Sequence, residues 1–109
     1  MAGGNGLEEW GPSELRHHLD QGDSFLLFLF TPFCGTCRFA ERMLSIVEHL
    51  HGDKRFVKSD VQYVPELVRR WKISSVPCLV FVKDGEAERT MFAFHSVDHL
   101  HAEIKTYGN

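Results

Sequence analysis

Residues 25–44 read FLLFLFTPFCGTCRFAERML, and two periodicities meet in them. Phe25 to Phe30 are apolar at every position, the pattern of a strand covered on both faces in the middle of an α/β sheet. Pro32 ends it. From Gly35 to about His51 the period becomes helical, with Phe39, Met43, Ile46, Val47 and Leu50 on one stripe. His49 and His51 fall near the end of that helix and Gly52 suits the position just past it. Cys34 and Cys37 stand on the joint between strand and helix. Unpaired backbone N–H groups and the helix dipole converge at such a joint and favour an anion. A thiolate at Cys34 is such an anion, so its thiol becomes more acidic and more reactive near neutral pH. Cys37 follows one turn later, where its sulfur can reach that of Cys34. A nucleophile with a neighbouring resolving thiol is the minimum equipment for thiol–disulfide exchange. Two other readings compete. Free cysteines are often simple buried hydrophobes. A zinc site would want four ligands, and Cys34, Cys37, Cys78 and one histidine could be counted, although no second ligand pair stands at metal spacing.

The rest of the composition narrows the class. A length of 109 residues fits one domain with one core. Hydrophobic residues at 43 % and charged residues at 25 % give an ordinary globular balance and argue against wholesale disorder. A net charge of −3 supplies no basic field for nucleic acid or an anionic membrane. The longest apolar run, Phe25 to Phe30, is far too short to cross a bilayer. The opening MAGGNGLEEW has neither the cationic nor the apolar region of a secretory signal, and residues 1–6 read as a frayed tail. Three cysteines, an odd number, argue against a secreted disulfide scaffold. A reducing cytoplasm is therefore the expected compartment. With no repeat and no linker, residues 1–109 form a single expected domain.

Outward from the joint, the chain alternates. Pro12 suits the first turn of a helix with Leu15 and Leu19 four apart and Gly22 as its stop. Leu7 to Trp10 suggest a short edge strand, and residues 55–59 (RFVKS) another strand. Pro65 opens a helix with Val64, Leu67, Val68 and Trp71 at helical spacing. Residues 78–83 (CLVFVK) form a strand, Asp84-Gly85 is a hairpin signal, and ERTMFAF at 88–94 returns as its partner. Ser96 caps a last helix with Val97, Leu100, Ile104 and Tyr107 inward. This order predicts a parallel βαβ unit extended by an antiparallel hairpin. Cys78 reads as a small core residue of its strand. The seven histidines are scattered; those at helix ends suit the dipole or the solvent, and none is assigned a catalytic role.

Taken together, FCGTC at 33–37, SDV at 59–61, VPCLVFVKDGE at 76–86 and the closing helix resemble the thioredoxin family over nearly the whole chain. The family's usual motif is Trp-Cys-Gly-Pro-Cys, and here it reads Phe-Cys-Gly-Thr-Cys. Its invariant proline, cis and facing the cysteines, matches Pro77. Its hairpin glycine matches Gly85, and its lysine at the start of the middle strand matches Lys58. The resemblance implies a thioredoxin fold, an α/β domain with a central mixed β-sheet flanked by helices. It implies a thiol–disulfide oxidoreductase acting on protein disulfides through Cys34 and Cys37, with no cofactor. Phe33, Gly35, Thr36, Val76 and Pro77 would frame a shallow docking surface for the substrate. A disulfide reductase would restore the pair, and the protein would work as a monomer. Three positions depart from the family pattern. Its buried aspartate, which relays protons to the second cysteine, falls on Phe28, so Lys58 loses its expected partner. The motif proline becomes Thr36, which in the family goes with a more oxidising pair. The glycine of the substrate-facing loop falls on Ala93. These departures leave two rivals to catalysis: a thioredoxin-like protein-binding module, and a metal or iron–sulfur binding protein.

Overall fold

The computed structural model describes residues 6–107. The expected tail over residues 1–6 therefore lies, except for Gly6, outside the described residues. The elements are β1 (Glu8–Glu9), α1 (Pro12–Asp20), β2 (Phe25–Phe30), α2 (Gly35–Glu48), β3 (Phe56–Asp60), α3 (Pro65–Arg70), β4 (Cys78–Lys83), β5 (Glu86–Met91) and α4 (Val97–Lys105), with a 3-10 turn over Val61–Tyr63. The strands join in the order β1-β3-β2-β4-β5. β1 and β2 pair with β3 in parallel, and β4 pairs antiparallel with both β2 and β5. The parallel unit and the hairpin are thus both present, in one mixed sheet.

β2 sits at the centre of that sheet, which explains its unbroken apolar run. Leu26 and Phe28 pack into one core with Ala40, Leu44 and Val47 of α2 and Leu100 and Ile104 of α4. Phe25, Leu27 and Leu29 point the other way, into a core with Leu15 of α1, Val64 and Ile73. A strand with helices on both faces needs apolar residues at every position. Phe28 is fully buried, parallel to Phe30 at 6.2 Å and edge-on to Phe94 at 5.9 Å. The hairpin turns at Asp84 and Gly85, both at positive φ (53° and 79°). A Cβ on Gly85 would lie 2.5 Å from the Leu19 carbonyl oxygen, so glycine is needed there for space as well as for φ.

Three details differ from the sequence expectation. The stripe assigned to α2 is rotated: Cys37, Ala40, Leu44 and Val47 are buried, while Phe39 (60 %), Ile46 (53 %) and Leu50 (56 %) are exposed. The helix lies against the sheet on its smaller side chains, and periodicity weighted by residue size favours the wrong face. The return strand covers Glu86–Met91 instead of 88–94; a register irregularity at Phe81/Val82 accompanies the shift. His51 is not in solvent. It is 6 % exposed and its Nε2 lies 2.9 Å from Nδ1 of His101, joining the end of α2 to α4.

Candidate redox site

The strand-to-helix joint builds the site from its backbone. Cys34 is the N-cap of α2, in extended conformation (φ −106°, ψ 110°). An N-cap side chain normally accepts a hydrogen bond from an N–H of the first turn. Here that acceptor is sulfur: the Cys37 N–H donates to Cys34 Sγ over 3.1 Å. Thr36 Oγ1 lies 3.2 Å from the same sulfur. All three cysteines are free thiols. The Cys34 thiol is held below its ordinary pKa, first by the hydrogen bond from the Cys37 thiol and then by that from Thr36. Cys37 goes the opposite way. It is only 2 % exposed, and its pKa is pushed up to about 11, first by burial and next by its hydrogen bond to Cys34. Two thiols one helical turn apart are thus made unequal, an accessible acidic one and a buried weakly acidic one.

The residues expected to frame a docking surface fall at the same end of the sheet. Phe33 is 87 % exposed, Gly35 and Thr36 are exposed, and Val76 and Pro77 are half-buried. The register Leu29↔Cys78 sets Pro77 level with Phe30, just before the loop that carries Cys34. Val76 and Cys34 pack against the same core. The Val76–Pro77 peptide bond is cis. Ala93 is exposed on the segment between β5 and α4.

Cys78 belongs elsewhere. It is fully buried in the core on the opposite face of the sheet, with Leu15, Leu27 and Leu29, and burial raises its pKa to about 12. The count that joined Cys78 to the motif as a metal ligand fails on that placement. Among the described residues, no three of His, Cys, Asp and Glu are grouped to hold a metal ion.

A thioredoxin family profile matches residues 9–106. The chain belongs to the thioredoxin family. It is similar to the thioredoxin-like protein YusE of Bacillus subtilis (strain 168), with 42 % identity over 91 residues, covering 82 % of this chain and 86 % of that one. Solved thioredoxins share its fold. An N21Q mutant thioredoxin from Halobacterium salinarum superposes with a TM-score of 0.78 at 24 % identity, over 100 % of this chain and 96 % of that one. Oxidised thioredoxin from Plasmodium falciparum gives 0.79 at 21 % identity, over 94 % and 99 %.

Within this thioredoxin-family site, the structure corrects the fate of Lys58. Phe28 does leave it without a partner on the strand, yet Lys58 is not unpaired. Its Nζ donates to Oε2 of Glu41 on α2 over 2.8 Å, and both side chains are less than one-fifth exposed (19 % and 18 %). The Leu7 backbone N–H donates to the same oxygen over 3.1 Å. Sequence reasoning missed Glu41. The available signal was a carboxylate four residues after Cys37, on the edge of the buried stripe of α2.

Proposed function

We propose that this protein is a thiol–disulfide oxidoreductase acting on protein disulfides through Cys34 and Cys37. The observation that carries the reading is the inequality of the two thiols at the start of α2. Cys34, accessible and hydrogen-bonded as a thiolate, attacks one sulfur of a substrate disulfide. A mixed disulfide forms and the other substrate sulfur leaves as a thiolate. Cys37 then attacks the Cys34 sulfur, closes the Cys34–Cys37 disulfide, and releases the second substrate thiol. Burial suits Cys37 to this second step, since a neutral thiol shielded from solvent does not compete for external disulfides. Phe33, Gly35, Thr36, Val76 and Pro77 form the surface on which an extended substrate segment docks. A disulfide reductase returns the pair to the dithiol, and a reducing compartment such as the cytoplasm suits that cycle.

Reduction of insulin disulfides with a thioredoxin reductase as electron donor tests the reading. Wild-type protein is expected to turn over, Cys34→Ser to be inactive, and Cys37→Ser to accumulate a mixed disulfide at Cys34. Peptide mapping of air-oxidised protein is expected to find Cys34 bonded to Cys37 and Cys78 free. A wild-type protein that binds the substrate yet exchanges no disulfide would establish a binding module instead.

A further inference from the structure

Closing the Cys34–Cys37 disulfide requires Cys37 to lose a proton, and Cys37 is poorly placed to lose it to water. Its sulfur is buried, and burial is the first cause of its raised pKa. That cause persists in the mixed disulfide, when Cys34 no longer carries a thiolate. Burial therefore still holds the Cys37 thiol above its ordinary pKa at that stage, so little of it ionises unaided at neutral pH. The strand position from which the family supplies a carboxylate holds Phe28, whose ring is fully buried among apolar side chains.

We propose that Glu41 is the proton acceptor for Cys37 in resolution of the mixed disulfide, supplying from α2 the carboxylate that β2 lacks. The proposal rests on the oxidoreductase reading above. Glu41 follows Cys37 by four residues on one helix, a spacing that sets their Cβ atoms about 5–6 Å apart on the same side. A proton crosses such a gap directly or through one water. The carboxylate is a fixed part of the structure. Lys58 Nζ and the Leu7 N–H both hold Oε2, and a Cβ on Gly6 would fall 2.5 Å from that oxygen. The negative charge of Glu41 reaches Cys37, adding to the forces that keep the thiol neutral until attack.

In the step itself, the Cys37 S–H bond breaks and its proton passes to the Glu41 carboxylate. The Cys37 sulfur forms a bond to the Cys34 sulfur as the bond from Cys34 to the substrate breaks. The electron pair of that bond leaves on the substrate sulfur, which takes up a proton from Glu41 or from solvent. The two protein thiols are oxidised to one disulfide and the substrate disulfide is reduced to two thiols.

The test separates a base from a mere charge, because the two have opposite signs. As a charge alone, Glu41 suppresses ionisation of Cys37, so Glu41→Gln makes Cys37 more acidic and speeds resolution. As the proton acceptor, its loss slows resolution at neutral pH although Cys37 becomes more acidic. The mixed disulfide of Cys34 with 2-nitro-5-thiobenzoate, followed by stopped flow from pH 6 to 10, reads the step through release of the coloured thiol. We expect Glu41→Gln to be slower than wild type by roughly tenfold or more at pH 7. The gap should close as Cys37 ionises on its own at high pH, and Glu41→Asp should recover part of the rate. Thermal unfolding of each variant reports the loss of the Lys58 contact separately. Equal or faster resolution in Glu41→Gln at pH 7, or a deficit that persists unchanged to pH 10, overturns the assignment. A wild-type mixed disulfide that never resolves defeats the oxidoreductase reading and this role with it; resolution that is indifferent to Glu41 defeats this role alone.

Discussion

Thr36 stands where the family has proline, and its hydroxyl gives the most direct handle on the nucleophile. Of the two side chains that hold Cys34 acidic, Cys37 and Thr36, only Thr36 can be changed without touching the exchange chemistry. Its Oγ1 is 3.2 Å from Cys34 Sγ. A hydrogen bond to a charged acceptor contributes about 1.5–3 kcal/mol. Cys34 is half-buried, and water competes for its sulfur, so half of that range, ~0.75–1.5 kcal/mol, is its share; this corresponds to up to about one pKa unit. Thr36→Val removes the hydroxyl at nearly constant shape, and Thr36→Ser keeps it. In Thr36→Val the midpoint of Cys34 alkylation by iodoacetamide, scanned from pH 5 to 10, should rise by up to about one unit. Thr36→Ser should stay near wild type. Thr36 is exposed, so the fold should hold, with a stability change within about 0.5 kcal/mol. A Thr36→Val midpoint that is unchanged or lower would refute the argument, leaving the Cys37 N–H and thiol as sufficient stabilisers.

Three further outcomes follow from the packing. Leu44→Ala, on the buried face of α2, should cost about 2–5 kcal/mol in urea unfolding, whereas Ile46→Gln on its exposed face should stay within about 0.5 kcal/mol; similar losses at both would contradict the rotated stripe. His51 is held below the ordinary imidazole pKa, first by burial, then by His101 and Lys54, with Lys105 acting the same way and Asp53 opposing. The unfolded chain therefore binds the His51 proton first on acidification, so stability is full above pH ~6.5 and falls below it until His51 titrates in the folded state. Its slope from this group is at most about 1.4 kcal/mol per pH unit, and it should vanish in His51→Gln in urea titrations at pH 5–8. Phe28→Asp should lose about 3–5 kcal/mol of aromatic packing and a further ~1–3 for a buried carboxyl whose natural partner, Lys58, is engaged by Glu41. That approaches the whole stability of a small domain, so the variant should be largely unfolded by circular dichroism.

How far the sequence could be read depended on where the deciding contacts lie. β2 was legible because burial on both faces leaves a continuous apolar run, and the hairpin because Asp84-Gly85 must adopt positive φ. The joint at Cys34 was legible because an N-cap is a local feature, and the Cys37 N–H does bond to Cys34 Sγ. The face of α2 was not. Its two candidate stripes share Val47, and the helix buries the one that also holds Cys37, Ala40 and Leu44. The polar contacts between elements were least legible. Glu41 meets Lys58 across 17 positions and His51 meets His101 across 50. Nothing local in the sequence marks either pair.

A carboxylate on α2 asks less of the core than one at position 28 of β2 would. Position 28 is fully buried, so a charge there must be desolvated completely, and its partner must be brought to it through the apolar layer. Glu41 keeps 18 % of its side chain exposed and already has two donors on one oxygen, so its charge requires far less from the interior. The face of β2 that meets α2 and α4 is thereby free to be wholly aromatic at its end. Phe28 stacks on Phe30 and meets Phe94 edge-on, and Lys58 crosses over Phe30 at 5.3 Å on its way to Glu41. The lysine expected to face β2 is therefore retained but redirected. Phe28 and Glu41 form a coupled pair of choices, and exchanging only one of them leaves either a buried charge without a partner or Cys37 without a nearby carboxylate.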